Sequence, residues 1–199
     1  MPRNIEFDND AVMDAAMRAF RLNGFSGVSI KTLESVTGLS SGSLYNSFGG
    51  KDDIFVAALT HYNETVVRQR IRDHLEAKSG LEGVRSLFLS VLEEPGEEIH
   101  GCLLTNSAVE FGSTNSVAKP GIQQGLDMLE KGFQAGIDEF LVEQNAKPGS
   151  PFANRYSISA AKLLALYQGV LVLVRFGRSK EQLRSLINTE IDQLIGKSI

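Results

Sequence analysis

Apolar residues recur at spacings of three and four along most of the chain, and the strict alternation that marks a strand is nearly absent. Val12, Ala15, Ala16, Ala19 and Phe20 define one face of a first helix over about 10–23, which Asp8 or Asn9 can cap and Gly24 can end. Two short helices follow, Ile30 to Thr37 capped by Ser29 and about Ser41 to Phe48 capped by Ser40, with Gly38 making the turn between them. After Gly49-Gly50 a long fourth helix starts at Lys51 or Asp52 and runs to about Ala77, its first-turn Asp52 and Asp53 suiting the positive end of the helix dipole. Further helices are expected over Leu81 to Leu92, Gly101 to Gly112, Ile122 to Gln144, Ile158 to Phe176 and Lys180 to Ile195. The loops between them fall at Glu93 to Gly96, at Lys119-Pro120 and at Lys147 to Pro151. The expected fold is all-α, with about nine helices in two parts that divide inside the fourth helix: residues 1–58 and 59–199.

Composition adds bounds. The chain has 199 residues, 42% hydrophobic and 22% charged, with a net charge of -4. These are ordinary values for a soluble globular protein. The longest apolar stretch, Leu163 to Val174, is interrupted by Gln168 and spans about 18 Å as helix. A bilayer core needs about 30 Å, so it reads as a buried helix and no membrane partner is expected. Cys102 is the sole cysteine, which rules out an intramolecular disulfide and fits a reducing cytoplasm.

The two short helices carry the chemistry. Packed together through Ile30, Leu33, Val36, Leu39, Leu44 and Phe48, and backed by the first helix, they leave one face of the third helix open. That face holds Ser40, Ser41, Gly42, Ser43, Tyr45 and Asn46, small and polar enough to approach base edges and phosphates. Helix-turn-helix proteins place the start of their second motif helix in the major groove in this way. Residues 1–51 carry five basic and five acidic side chains, so modest nonspecific DNA affinity is expected.

In order, Gly24-Phe25-Ser26-Gly27-Val28-Ser29-Ile30, Gly38-Leu39-Ser40-Ser41-Gly42-Ser43-Leu44-Tyr45-Asn46-Ser47-Phe48 and Lys51-Asp52-Asp53-Ile54-Phe55 resemble the N-terminal domain of the TetR family, over roughly residues 8 to 60. The resemblance implies a DNA-binding transcriptional regulator. Tyr45 and Lys51 would contact phosphates, Ser29 and Ser40 would orient helix amides toward them, and Ser41, Gly42, Ser43 and Asn46 would face the groove. Lys31 and Arg3 are weaker candidates. The chain departs from the family at Glu34, where a small residue is usual, and at Ser41, where many members carry a basic one.

The C-terminal part resembles the family in length and helical pattern. Leu163, Leu166, Gly169, Val170 and Leu173, with Leu183, Leu186, Ile187, Ile191 and Leu194, form the expected homodimer interface, the rival reading being a purely intramolecular core. Two recognition helices spaced by about 34 Å would then read a palindromic operator. Gly101 to Phe111 resembles a segment of one branch of the family. Asn106 and Glu110, with Phe88, Cys102, Phe111, Phe133, Ile137 and Tyr167, are the candidate lining of a pocket for a partly apolar small-molecule effector. The expected function is a repressor released from its operator by that effector. Alternatives are a regulator that senses electrophiles or oxidants through Cys102 near a helix N-terminus, a regulator controlled by a protein partner, and a small helical enzyme with Cys102 as nucleophile. The chain lacks a Gly-x-Ser-x-Gly elbow, a phosphate-binding glycine loop and paired cysteines, so no enzyme, cofactor or metal site is expected.

Overall fold

A computed structural model describes residues 7–93, 101–114, 116–146 and 159–194. Every regular element among them is helical. The expected loop at 94–96, the linker at 147–151, Arg3 and His100 lie outside the described residues.

Helix α1 (Asn9–Gly27) is capped by Asp8, whose carboxylate accepts the amides of Asp10 and Ala11. It buries Val12, Met13, Ala16, Met17, Ala19 and Phe20, and at Gly24 it leaves helical geometry with φ 72° before a last turn. Helices α2 (Ile30–Thr37) and α3 (Ser41–Phe48) start at Ser29 and Ser40, whose hydroxyls accept the amides of Thr32 and Ser43. Gly38 takes the left-handed conformation (φ 73°, ψ 4°) that lets the two helices cross. Their shared core is Leu33, Leu39 and Leu44. Val36 does not join it, contrary to expectation: it is 44% exposed, because the core positions of so short a helix cover only one narrow face.

Helix α4 (Lys51–Tyr62) runs on through π-helical turns (Asn63–Val67), one α turn (Arg68–Arg70) and a second π segment (Ile71–Glu76). The long fourth helix is therefore present, but not as the regular α-helix the periodicity predicts. Helices α5 (Gly80–Ser90), α6 (Leu103–Phe111), α7 (Lys119–Glu143), α8 (Ala160–Arg175) and α9 (Lys180–Leu194) complete the described chain. The turn expected at Lys119-Pro120 is instead the start of α7. Proline is tolerated there because a first-turn N–H has no intrahelical acceptor to lose.

Contacts divide the chain into two compact units. One holds Met1–Val66 with Cys102–Gln124, and the other holds Val67–Gly101 with Gly125–Ile199. In the first, Phe20, Phe25, Phe55 and Phe111 pack with ring centroids 4.8–6.3 Å apart. In the second, Phe88, Phe133 and Tyr167 pack at 5.2–5.8 Å.

Candidate nucleic-acid interface

The start of α3 is built by its own serines. Ser40 Oγ accepts the Ser43 amide at 3.2 Å and shares a hydrogen bond with Ser43 Oγ at 3.0 Å. Its inner side is fixed by Leu44, which has no exposed surface. That registration turns Ser40, Gly42, Tyr45 and Asn46 to solvent, with Ser41 and Ser43 half-buried. Tyr45 is 50% exposed, an arrangement that suits a ring with one polar tip. On α2, Ser29 and Lys31 are also exposed.

Glu34 contributes what its departure from the family pattern did not reveal. From α2 its carboxylate accepts the Ser41 amide at 2.5 Å, reaching across the turn to the first residue of α3. An N-terminal helix amide has no intrahelical acceptor, and the carboxylate supplies one where the helix dipole favours negative charge.

Lys51 opens α4, with its ammonium 4.2 Å from the centre of the Phe25 ring. Asp53 accepts the Gly50 amide at 2.8 Å and fixes the chain just before it. Phe25 is itself held by α6: Glu110 accepts the amides of Phe25 and Ser26, each at 2.7 Å, and Asn106 donates to the Arg21 carbonyl at 3.0 Å. Burial works against the charge on Glu110. The Ser26 hydroxyl, the Ser26 and Phe25 amides and Lys51 outweigh it, so the carboxyl titrates below the ordinary glutamate range. The positive φ of Gly24 is what brings both amides to the carboxylate. A Cβ at Gly24 would stand 2.8 Å from Glu110 Oε2.

The residues grouped as a pocket lining fall in two places. Asn106, Glu110 and Phe111 lie in the first unit against α1 and α4. There Cys102 is 5% exposed and accepts the Tyr62 hydroxyl at 3.5 Å. Phe88, Phe133, Ile137 and Tyr167 are buried in the second unit, with Arg70 donating to the Tyr167 hydroxyl at 3.3 Å.

The residues grouped as an interface also divide. Leu163, Val170, Leu183, Ile187 and Ile191 are buried within the chain, Leu166, Leu173 and Leu186 are half-buried, and Gly169 is exposed. The side chain of Leu194 lies outside the described residues. A row that periodicity left out, Val172 (50% exposed) and Phe176 (82%), continues the open side of α8. Among the described residues, no group of three or more His, Cys, Asp or Glu is placed to hold a metal, and no helix is long and apolar enough to cross a membrane.

Residues 12–58 match the model of the family described as bacterial regulatory proteins, tetR family. The chain is 34% identical over 114 residues to YezE, an uncharacterized HTH-type transcriptional regulator of Bacillus subtilis. That match covers 55% of this chain and 58% of YezE, so the chain spans less than two thirds of that relative. It is 24% identical over 188 residues to the HTH-type transcriptional repressor ComR of Escherichia coli, covering 93% of this chain and 88% of ComR. Among solved structures, a CifR regulator with three cysteines replaced, in complex with 26-bp double-strand operator DNA, superposes with a TM-score of 0.79 at 22% identity, covering 95% of this chain and 97% of CifR. A TetR-family regulator from Cytophaga hutchinsonii superposes with a TM-score of 0.73 at 18% identity, over 96% and 97% of the two chains. These superpositions show a shared fold. Residues 12–58 thus carry an N-terminal domain of the TetR family of bacterial regulatory proteins.

Proposed function

We propose that the protein is a DNA-binding transcriptional regulator, a homodimeric repressor that leaves a palindromic operator when a small molecule binds. The carrying observation is the outer side of α3: a serine-capped helix that turns Ser40, Gly42, Tyr45 and Asn46 to solvent while Leu44 anchors it from behind. Residues 1–58 do the binding. Tyr45 and Lys51 hold phosphates, Ser29, Lys31 and Ser40 support them, and Ser41, Gly42, Ser43 and Asn46 enter the major groove. Residues 59–199 sense and dimerise. The open row of α8 supports a partner helix: Leu166, Gly169, Val172, Leu173 and Phe176 share one side, and a Cβ on Gly169 would meet nothing within 4 Å, which leaves room for close approach. The effector is partly apolar and competes for the aromatic cluster of Phe88, Phe133 and Tyr167, with Arg70 as its polar contact. A repressor of this type acts in the cytoplasm.

The test is selection of duplexes from a random pool by the wild-type protein. The expected product is a site with two inverted halves about one turn apart, bound by a dimer. The double variant Tyr45→Ala, Lys51→Ala should lose binding while keeping its helical circular dichroism. Recovery of no preferred sequence, or full binding by the double variant, overturns the reading.

A further inference from the structure

Glu34 stands at the start of the helix proposed to meet DNA, and it stands there as an anion. Between Ser29 and Lys51 the chain has two cations, Lys31 and Lys51, and Glu34 is the one carboxylate. Its oxygen takes the Ser41 amide at 2.5 Å. Of the amides that open α3, that of Ser41 is thus held by Glu34 and that of Ser43 by the Ser40 hydroxyl. A phosphate oxygen favours such an amide for the same two reasons a carboxylate does: an unfilled N–H and the positive end of the helix dipole.

We propose that Glu34 is an affinity-limiting residue, an internal anion that occupies the Ser41 amide in place of a DNA phosphate and holds down sequence-independent binding. This rests on the reading of α3 as the DNA-contacting helix. The carboxylate keeps the start of α3 in place in the free protein. On DNA it either stays, and repels the nearest phosphate, or yields the amide at the cost of its own hydrogen bond. Both routes weaken the phosphate contribution, whatever the base sequence. The neutral balance of residues 1–51 points the same way, since an internal carboxylate at this position halves the net positive charge of the segment from Ser29 to Lys51.

The test measures binding of the full-length protein to two probes, a mixed-sequence duplex and the duplex that the wild type selects from a random pool, across a salt series. Glu34→Gln keeps an amide oxygen for the Ser41 N–H and removes only the charge. It should bind both probes roughly three- to tenfold more tightly at low salt, with the gap closing as salt rises. Glu34→Ala frees the amide altogether and should shift binding in the same direction, which covers the case in which one variant folds poorly. A merely structural role would weaken binding in Glu34→Ala, spare Glu34→Gln, and give no salt-dependent gain. Unchanged or weaker binding of the mixed-sequence duplex by the folded variants overturns the proposal. So does a loss confined to the selected duplex, which would make Glu34 a base-reading residue. Tyr45→Ala, measured alongside, separates the two levels. If it weakens binding and the Glu34 variants do not strengthen it, only the proposal for Glu34 fails. If Tyr45→Ala has no effect, the assignment of α3 fails as well.

Discussion

Replacing Glu110 by Gln tests how the last turn of α1 is held. The carboxylate accepts two backbone amides at 2.7 Å with its two oxygens. A glutamine has one acceptor oxygen, and its NH2 group would face the second amide donor to donor. At least one bond is lost, and the other falls from charge-assisted to neutral. A hydrogen bond to a charged group contributes about 1.5–3 kcal/mol against about 1 for a neutral one. Glu110 is exposed on one side, so water recovers part of the difference, and a net loss of about 2 kcal/mol remains. For a chain of this length that lowers the melting temperature by roughly 4–8 °C. The measurement is a thermal melt of both proteins at neutral and at acid pH. The carboxyl titrates below the ordinary glutamate range in the folded state, so its stabilisation is fully present above about pH 4.5 and is lost as pH falls through the lower folded value. The two melting temperatures should therefore converge in acid. Equal melting temperatures at neutral pH, or a gap that persists in acid, would refute the role assigned to the carboxylate.

Other outcomes follow from single contacts. Tyr45→Phe removes the hydroxyl of a half-exposed side chain and should weaken DNA binding by about 1 kcal/mol, roughly fivefold, in a titration of the selected duplex, without moving the melting temperature. His74 lies partly buried, with Arg70 and Lys78 opposing its charge more than Asp73 and Glu93 favour it, so an NMR titration should place its midpoint below 6.5. Because its folded value is depressed, the stability it contributes as a neutral ring is present above that range and falls as the pH drops below it. Gly83→Ala would set a Cβ 2.5 Å from the Lys78 carbonyl oxygen and 2.9 Å from that of His74, and should destabilise by about 1–3 kcal/mol in urea unfolding. Gly132→Ala crowds the Leu75 methyl, at 2.6 Å, which can rotate away, and meets Ile71 at ordinary contact distance, so it should cost less.

What was legible in the sequence is what depends on near neighbours along the chain. Asp8, Ser29 and Ser40 cap the helices expected of them, because a cap and its amides lie within three residues. Gly38 turns as a left-handed residue because the helix must stop there. Asn106 and Glu110 were recognisable as polar residues four apart on an apolar helix. Their partners, Arg21 and Phe25 with Ser26, are about 85 positions away, and spacing alone could not name them. Glu34 was visible as a departure, yet its use depends on how two helices cross. The π-helical turns after Tyr62 have no periodic signature, since they are single-turn insertions in an otherwise helical pattern. The row from Leu166 to Phe176 was blurred because α8 is apolar on more than one side, and only the fold decides which side the chain's own core uses.

The seat of Lys51 on the Phe25 ring has a kinetic meaning. A lysine free in water samples many rotamers, and fixing it costs up to about 2 kcal/mol of motional freedom. Here the aromatic ring confines the ammonium when the protein folds, before any duplex arrives. On the proposed assignment of Lys51 to a phosphate, the arriving oxygen would meet a charge already held, so little searching would separate first touch from a seated contact.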